Sequence, residues 1–223
     1  MMKTLICMAT SLELNGIFPS LQTPETGNAS HGFEKGGFFF LETGIGALNT
    51  YASLVQFHTK TPVERVLQIG LAGAYPGARD EVRVLGASVI VEKEVLADLG
   101  AEDARSFLSL EDLELGKTEY YESKCLLVFN DLFGNTLNTL PIVSGATVNM
   151  ATGKEETGIF RAEKYGAEVE SMEGAGAFKF GKDFGVPVLQ VRGISNIAGT
   201  RNRENWDIPG ALKSLRKLCG ALL

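Results

Sequence analysis

Short apolar runs alternate with longer amphipathic segments along the whole chain, and this alternation constrains the fold more than any other feature. It predicts βαβ units and an α/β fold of three layers, αβα, with a mostly parallel or mixed central sheet. Strands are predicted at residues 4–9, 38–41, 63–72, 87–95, 125–129, 141–148, 168–172 and 187–194. Helices are predicted at residues 45–58, 154–165, 174–184 and 206–223, the last with Asp207 as an early cap.

The length of 223 residues fits one α/β domain, so we expect a single domain over residues 1–223. A chain of this size buries roughly 70–75% of its unfolded surface and does not need disulfides for stability. The three cysteines, Cys7, Cys125 and Cys219, form no C-x-x-C pair. Their odd number favours a reducing, cytoplasmic compartment and argues against a zinc ribbon. Residues 99–121 are acidic without clear periodicity and are expected to run over the sheet as a long loop.

The formal net charge of −6 comes from 21 basic and 27 acidic residues, and such a surface argues against a nucleic-acid backbone as partner. We also expect no membrane partner, because no apolar stretch approaches the roughly 18 residues of a membrane span. Residues 1–10 are typical of a core strand and lack the long apolar region of a signal peptide. A histidine-based catalytic or metal site would need His31 or His58, and nothing catalytic is near either in sequence, so no metal is expected.

Three polar residues follow predicted strands at the sheet edge where ligands of α/β folds bind. Glu13 follows the first strand, Glu173 follows the strand at residues 168–172, and Asn196 follows the strand at residues 187–194. A carboxylate at the position of Glu173 can accept two hydroxyl hydrogen bonds, as a ribose diol would offer. Each residue also has an ordinary structural interpretation, since the two acids fit the first turn of a helix and Asn196 fits an Asx-turn.

A glycine-rich turn at Gly44 and Gly46 lies between a predicted strand and a predicted helix. It resembles half of a dinucleotide fingerprint, but Asn49 occupies the third glycine position. Glu64, about 20 residues on, begins the next strand, whereas the ribose contact of a Rossmann site needs an acid at the strand end. A dinucleotide cofactor is therefore excluded, and no other cofactor is expected. The glycines serve either a tight turn or the close approach of the backbone to a ligand.

Six short motifs, in this order, resemble those of the nucleoside phosphorylase and nucleosidase superfamily over nearly the whole chain. They lie at residues 9–13, 43–46, 70–73, 142–145, 171–174 and 192–196. Within the superfamily, the chain is similar to the futalosine hydrolases of menaquinone biosynthesis at residues 95–100, 147–149, 194–196 and 206–212. Ser171 and Asn196 depart from the methylthioadenosine nucleosidases, which carry Glu and Asp there, and these departures argue against adenine-nucleoside specificity.

The resemblance implies an N-ribosidic hydrolase that cleaves futalosine to hypoxanthine and dehypoxanthine futalosine, as a homo-oligomer in which a neighbouring subunit can close the pocket. Two alternatives remain on the same fold: a methylthioadenosine/S-adenosylhomocysteine or aminodeoxyfutalosine nucleosidase, and a purine nucleoside phosphorylase. A catalytically silent nucleoside-binding protein is a third. A phosphorylase is disfavoured, because residues 8–18 and 43–49 contain no Lys or Arg that would bind phosphate.

The resemblance also implies a role for each candidate residue. Glu13 would activate the water, Glu173 would hold the ribose, and Asn196 would stabilise the leaving base. The amide of Asn196 can donate to the N7 and O6 acceptors of a 6-oxopurine, which an ionised Asp would repel, although Asn could also pair with adenine. Further substrate contacts are expected from Gly44, Ile45, Val148, Asn149 and Met172.

The segment after Asn196 is the candidate for the 5′ end of the substrate, where futalosine carries an aryl carboxylate. Trp206 offers a flat face for the ring, and Arg201 or Arg203 can bind the carboxylate through two hydrogen bonds. The alternative interpretation is a solvated turn with two surface arginines.

Overall fold

The structure, a computed structural model, describes residues 2–21, 32–104, 107–116, 120–122, 126–220 and 222. The strands are β1 Thr4–Met8, β2 Phe33–Lys35, β3 Phe38–Glu42, β4 Arg65–Ala74, β5 Ser88–Leu96, β6 Gly100–Glu102, β7 Phe107–Ser109, β8 Tyr120–Glu122, β9 Ile142–Thr147, β10 Val169–Ser171 and β11 Val188–Ile197. The helices are α1 Ser11–Ile17, α2 Ala47–Lys60, α3 Asn130–Phe133, α4 Glu155–Tyr165, α5 Gly174–Phe184 and α6 Ile208–Cys219.

Within the described ranges, the main sheet has nine strands in the order β10-β9-β5-β11-β4-β1-β3-β2, with β8 paired to β5. Strands β3, β1, β4 and β11 run parallel, as do β5, β9 and β10, whereas β5 runs antiparallel to β11. Because β10 also pairs with β4, the strands β4, β11, β5, β9 and β10 close into a ring. The predicted α/β class with a mixed central sheet is confirmed.

β1 separates two helical layers, because its side chains alternate between the two faces of the sheet. Leu5 and Cys7 pack into a cluster with residues of α2 and α5. Ile6 and Met8 pack into another cluster, with residues of α1 and α6. All four side chains are buried, and the removal of apolar surface from water holds both layers on the sheet.

The prediction of a strand at residues 125–129 is wrong. Leu126–Phe129 forms a 3₁₀ helix, and residue 125 lies outside the described residues. The buried guanidinium of Arg65 explains this local structure, because it donates hydrogen bonds to the Val128 carbonyl and to the Asp131 carboxylate. Residues 128 and 131 can both reach one guanidinium across a single helical turn, whereas an extended strand would place them about 10 Å apart.

The helix predicted at residues 206–223 is shorter in the structure, since α6 ends at Cys219. The Asp207 cap is confirmed, because its Oδ1 accepts a hydrogen bond from the Gly210 amide at 2.9 Å. The expected long loop at residues 99–121 contains β6 and β7, which pair as a small hairpin, and most of β8, which joins β5. In the described part of the chain no helix combines the length and the apolarity needed to cross a membrane.

Candidate active site

A cavity of about 340 Å³ lies near the carboxyl ends of β1, β4, β10 and β11. Its volume is in the range of pockets that hold small-molecule ligands. The cavity brings together seven of the residues predicted from the sequence: Glu13, Ile45, Met172, Glu173, Asn196, Arg201 and Trp206.

Glu13 is positioned by the start of α1. Thr10 is the N-cap of this helix: its hydroxyl accepts from the Glu13 amide, and the Glu13 carboxylate accepts from the Thr10 amide, which forms a capping box. The amide of Leu71 in β4 donates to Oε1 of Glu13 at 2.9 Å. The residue is 6% exposed. The helix start and the neighbouring strand therefore hold a nearly buried carboxylate at the cavity wall.

The pKa of the Glu13 carboxyl is raised above its ordinary value. Burial is the main cause, and the negative charge of Glu173 adds to the rise. Hydrogen bonds from Leu71 and Thr10, together with the positive charge of Arg192, lower the pKa without cancelling the rise. A carboxylate with a raised pKa is what a general base near neutral pH requires.

Glu173 lies directly before α5 and faces the glycine-rich turn. Its Oε1 accepts a hydrogen bond from the Gly46 amide at 3.3 Å, and its Oε2 accepts one from the Met172 amide at 3.3 Å. Gly46 has a φ of 98°, a backbone conformation that favours glycine. The turn therefore holds the carboxylate, while Gly44 is not among the described residues that line the cavity.

Arg192 in β11 is a site residue to which the sequence analysis gave no role. It is 1% exposed, its Nη1 lies 3.4 Å from Oε2 of Glu173, and its Nε donates to Oε1 of Gln190 at 2.8 Å. Among the described residues, its Nη2 has no hydrogen-bond partner. Arg192 is not among the described residues that line the cavity, so its effect on the cavity comes through its charge and its contact with Glu173. The signal in the sequence was an arginine inside a mostly apolar strand.

Arg192 is also a neighbour of Glu13. A Cβ atom on Gly70 would stand 2.7 Å from Nη1 of Arg192 and 2.8 Å from Oε1 of Glu13, so both groups border the space above this glycine. Two carboxylates and one guanidinium therefore form a compact buried charge cluster, in which one cation offsets part of the negative charge.

Asn196 follows a β-bulge in β11, between Ile194 and Asn196. Its Oδ1 accepts a hydrogen bond from the Ser195 hydroxyl at 2.9 Å, and its Nδ2 donates to the Ile197 carbonyl at 3.2 Å. A carbonyl oxygen only accepts, so this contact fixes which end of the amide carries nitrogen. Nδ2 carries a second N–H, and because Asn196 lines the cavity, this group can donate to a bound molecule.

Arg201, Arg203 and Trp206 form the outer part of the candidate site. The guanidinium carbon of Arg201 lies 5.1 Å from the centre of the Trp206 ring, and that of Arg203 lies 6.0 Å from it. Both distances fit cation–π contacts. Arg201 and Trp206 line the cavity, whereas Arg203 is not among the described residues that do so.

Val148 and Asn149 do not line the cavity in the described part of the chain. Val148 is fully buried in an apolar cluster. The backbone and side-chain amides of Asn149 donate to Asp98 at 2.6 and 3.0 Å. Ala151 and Thr152 line the cavity instead, three residues after the predicted pair.

Glu94 in β5 is a second buried group that the sequence analysis missed. It is 1% exposed, and its Oε2 accepts a hydrogen bond from the Thr147 hydroxyl at 2.8 Å. Burial raises the pKa of Glu94 to about 7, although the charge of Arg192 and the neighbouring Thr147 and Gln190 side chains lower it. Within the described ranges, no group of three or more His, Cys, Asp or Glu residues is arranged to hold a metal ion.

The sequence matches a family and curated proteins over most of its length. The family model of the Phosphorylase superfamily matches residues 22–222. The futalosine hydrolase of Thermus thermophilus is 35% identical over 197 residues, which cover 87% of this chain and 85% of that protein. The futalosine hydrolase of Streptomyces coelicolor is 29% identical over 231 residues, which cover 99% of this chain and 95% of that protein.

Solved structures share the fold. A futalosine hydrolase mutant of Helicobacter pylori has a TM-score of 0.77 at 18% identity, covering 100% of this chain and 98% of that one. A mutant of the 5′-methylthioadenosine/S-adenosylhomocysteine nucleosidase (MTAN) of the same organism, with 5′-methylthioadenosine in its active site, has a TM-score of 0.76 at 19% identity. The match covers 100% of this chain and 96% of that one. From the family model and the curated relatives it follows that the chain belongs to the phosphorylase superfamily, together with the curated futalosine hydrolases.

Proposed function

We propose that this chain is a purine nucleoside hydrolase that cleaves the N-ribosidic bond of futalosine, releasing hypoxanthine and dehypoxanthine futalosine for menaquinone biosynthesis. The observation that carries the proposal is that the nearly buried carboxylates of Glu13 and Glu173 and the amide of Asn196 line one cavity. The names of the curated relatives support the choice of futalosine as substrate.

Glu13 is the general base of the proposed reaction. A water oxygen forms a bond to the anomeric carbon of the ribose, the bond from that carbon to the base breaks, and hypoxanthine leaves with the electron pair. Glu13 takes a proton from the water, a task for which its raised pKa suits it. Nη1 of Arg192 borders the same space above Gly70, so its positive charge lies close to Glu13 and favours the ionised form that accepts the proton.

Glu173 holds the ribose and stabilises the charge that develops on it. A carboxylate can accept hydrogen bonds from both hydroxyls of the diol. As the base leaves, the sugar becomes oxocarbenium-like, and a fixed negative charge nearby stabilises this state more than the ground state. Arg192, 3.4 Å from Glu173, supplies the counter-charge that a buried carboxylate needs in the free protein.

A phosphorylase and an adenine nucleosidase are the alternatives on this fold. A phosphate nucleophile needs cations, but residues 8–18 and 43–49 contain no Lys or Arg, and the carboxylate of Glu13 in the cavity repels phosphate. Adenine offers a donor where hypoxanthine has O6, and it is a poorer leaving group that benefits from an acid, which Asn196 cannot be.

Base release from inosine, futalosine, 6-amino-6-deoxyfutalosine and methylthioadenosine, measured with and without phosphate, tests the proposal. We expect futalosine to be the preferred substrate, at a rate that does not depend on phosphate. Phosphate-dependent release would identify a phosphorylase, and preferred release of adenine would identify one of the adenine nucleosidases. No release from any of the four would favour a nucleoside-binding protein.

Replacement Asn196→Asp is expected to lower kcat/KM for futalosine by about 10-fold or more, because a donated hydrogen bond worth about 1.5 kcal/mol becomes a repulsion against N7 and O6. Activity on 6-amino-6-deoxyfutalosine should fall less or rise. Asn130→Asp adds the same charge at an exposed position outside the cavity and should leave both substrates unaffected. A wild-type protein that prefers the adenine compound in direct competition contradicts this role of Asn196.

Replacement Arg201→Ala is expected to raise KM for futalosine by about 10-fold, the lower end of what one charge-assisted hydrogen bond provides, because Arg201 is exposed. Inosine lacks the aryl carboxylate, so its KM should hardly change. Arg203→Ala is the matched control. Arg203 contacts the same Trp206 ring, but it is not among the described residues that line the cavity. Equal losses on futalosine and inosine would indicate general damage, and no loss on either would leave Arg201 as a surface charge.

The proposal includes a homo-oligomer in a reducing, cytoplasmic compartment, without a nucleic-acid or membrane partner. Burial raises the pKa of the free thiols of Cys7 and Cys219 to about 12, which keeps both in the unreactive form. Ile45 at the cavity and Leu48 at a separate pocket, three residues further along the chain, expose apolar side chains that a neighbouring subunit can cover. Light scattering of the purified protein measures its mass in solution, and a monomer would contradict this part of the proposal.

A further inference from the structure

Glu173 occupies the N-cap position of α5, but among the described residues its side chain makes no capping hydrogen bond to the helix. Its carboxylate is instead bound by the amides of Gly46 and Met172 on the cavity side. An N-cap side chain ordinarily accepts a hydrogen bond from an amide of the first helical turn. The orientation of Glu173 toward the cavity therefore leaves the start of α5 in need of another acceptor.

Thr147, the last residue of β9, supplies this acceptor from a neighbouring strand. Its Oγ1 accepts a hydrogen bond from the Ala175 amide, in the first turn of α5, at 2.8 Å. The same hydroxyl donates to Oε2 of Glu94 at 2.8 Å. A hydroxyl carries one hydrogen, so donation to the Glu94 carboxylate leaves the lone pairs of Thr147 for the helix amide.

Two glycines make room for the Glu94 carboxylate under the helix start. A Cβ atom at Gly174, the first residue of α5, would stand 1.9 Å from Oε1 of Glu94, and one at Gly145 in β9 would stand 2.7 Å from it. Both positions therefore exclude any larger residue while Glu94 is in place. The positive end of the α5 dipole favours a negative charge at this position.

We propose that Glu94 is a positioning residue: together with Thr147 it caps α5 in place of Glu173 and so keeps the Glu173 carboxylate directed at the ribose. Glu94 is not among the described residues that line the cavity, and it acts through Thr147 and the helix start. This inference rests on the proposed function for the role of Glu173, while the capping itself can be measured without any substrate.

The protonation state of Glu94 sets the direction of the Thr147 hydroxyl. The charged and titratable groups that act on Glu94 are Arg192 from β11, Glu173 before α5 and Tyr75 after β4. With its pKa at about 7, Glu94 is ionised above neutral pH and only accepts from Thr147. Below that pH the protonated Glu94 carboxyl can itself donate to Oγ1 of Thr147. The Thr147 hydroxyl is then no longer held in the orientation that accepts from the Ala175 amide. The cap therefore weakens as the pH falls below about 7.

The capping is tested by the hydrogen-exchange protection factor of the Ala175 amide in the whole protein. Thr147→Val removes the hydroxyl at nearly constant shape and should lower this protection factor by about 10-fold or more, whereas Thr147→Ser, which keeps the hydroxyl, should restore it. In the wild type the protection factor should fall between pH 8 and pH 6. In Glu94→Gln, which cannot titrate, it should stay constant over this range.

The link to catalysis is tested by kinetics on futalosine. Thr147→Val should lower kcat by up to about 100-fold through misplacement of Glu173, and Thr147→Ser should recover most of the loss. The control Ser88→Ala removes a buried hydroxyl of β5 that bonds Ser214. It should lower Tm by about 2–4 °C without changing kcat.

Two outcomes overturn the inference, and they differ from failure of the proposed function. The capping is refuted if Thr147→Val only lowers Tm, as Ser88→Ala does, and leaves the Ala175 protection factor and kcat at wild-type values. A protection factor with the same pH dependence in Glu94→Gln and wild type also contradicts the role of Glu94. A wild-type protein without base release on any nucleoside overturns the proposed function, and the exchange measurement then decides the capping alone.

Discussion

Replacement Glu13→Gln is expected to lower kcat for base release by about 10²–10⁴-fold, the usual contribution of a general base, while the affinity for the nucleoside changes little. The variant keeps the size of the side chain, and Gln at this helix position can still complete the capping box with Thr10. It loses the ability to take a proton from water. Single-turnover kinetics with saturating enzyme separate the chemical step from binding.

The variant Asp112→Asn is the matched control for Glu13→Gln. Asp112 and Ser109 form the same reciprocal contact as Glu13 and Thr10, with the Ser109 amide donating to Asp112 and the Asp112 amide donating to Ser109, and neither is among the described residues that line the cavity. Its kcat should equal that of the wild type. Near-wild-type turnover in Glu13→Gln would remove the assignment of Glu13 as the base.

The pH profile gives an independent measure of the same role. Glu13 must be ionised to accept a proton, and burial, aided by the charge of Glu173, raises its pKa. The acidic limb of kcat/KM should therefore lie above the ordinary Glu value of about 4.3, with activity rising as the pH increases through the limb. An acidic limb at or below the ordinary value would contradict the environment described for Glu13.

The sequence alone was sufficient to predict those residues of the candidate site that directly follow a strand. Glu13, Glu173 and Asn196 share one cavity because the ends of neighbouring strands meet at one edge of the sheet, and the order of strands and helices indicates that edge. Such arguments need only the position of a residue relative to a strand end.

The residues that act from inside the sheet could not be assigned from the sequence. Glu94 lies in β5 among residues of mixed polarity, and whether a strand residue faces solvent or another element depends on which strands and helices cover it. The site of Glu94 is created by Gly145 and Gly174, which belong to two other elements. Arg192 was visible in a motif, but its contact with Glu173 depends on the path of the chain between β11 and α5.

Replacement Glu173→Gln is expected to lower kcat/KM by about 10²–10³-fold, as the loss of one preorganised electrostatic group at a charged transition state does. The amide keeps one acceptor oxygen for Gly46 or Met172, so the side chain can stay near its position. It cannot oppose the positive charge on the sugar, and it leaves Arg192 without its carboxylate partner at 3.4 Å. A fall in Tm is therefore expected too, because an unpaired buried charge is costly.

The loss of a ribose contact can be separated from this loss of stability by a cycle with deoxy substrates. If Glu173 binds the diol, removal of one hydroxyl from the substrate lowers kcat/KM strongly in the wild type but much less in Glu173→Gln, since the interaction is already absent. If Glu173 has only a structural role, the fold-loss in kcat/KM from Glu173→Gln and the fold-loss from the missing hydroxyl multiply. Measurement well below the Tm of the variant keeps unfolding out of the comparison. Because Arg192 joins Glu173 and Glu13 in one buried cluster, multiplying losses would show that this cluster stabilises the fold and that the ribose is held elsewhere.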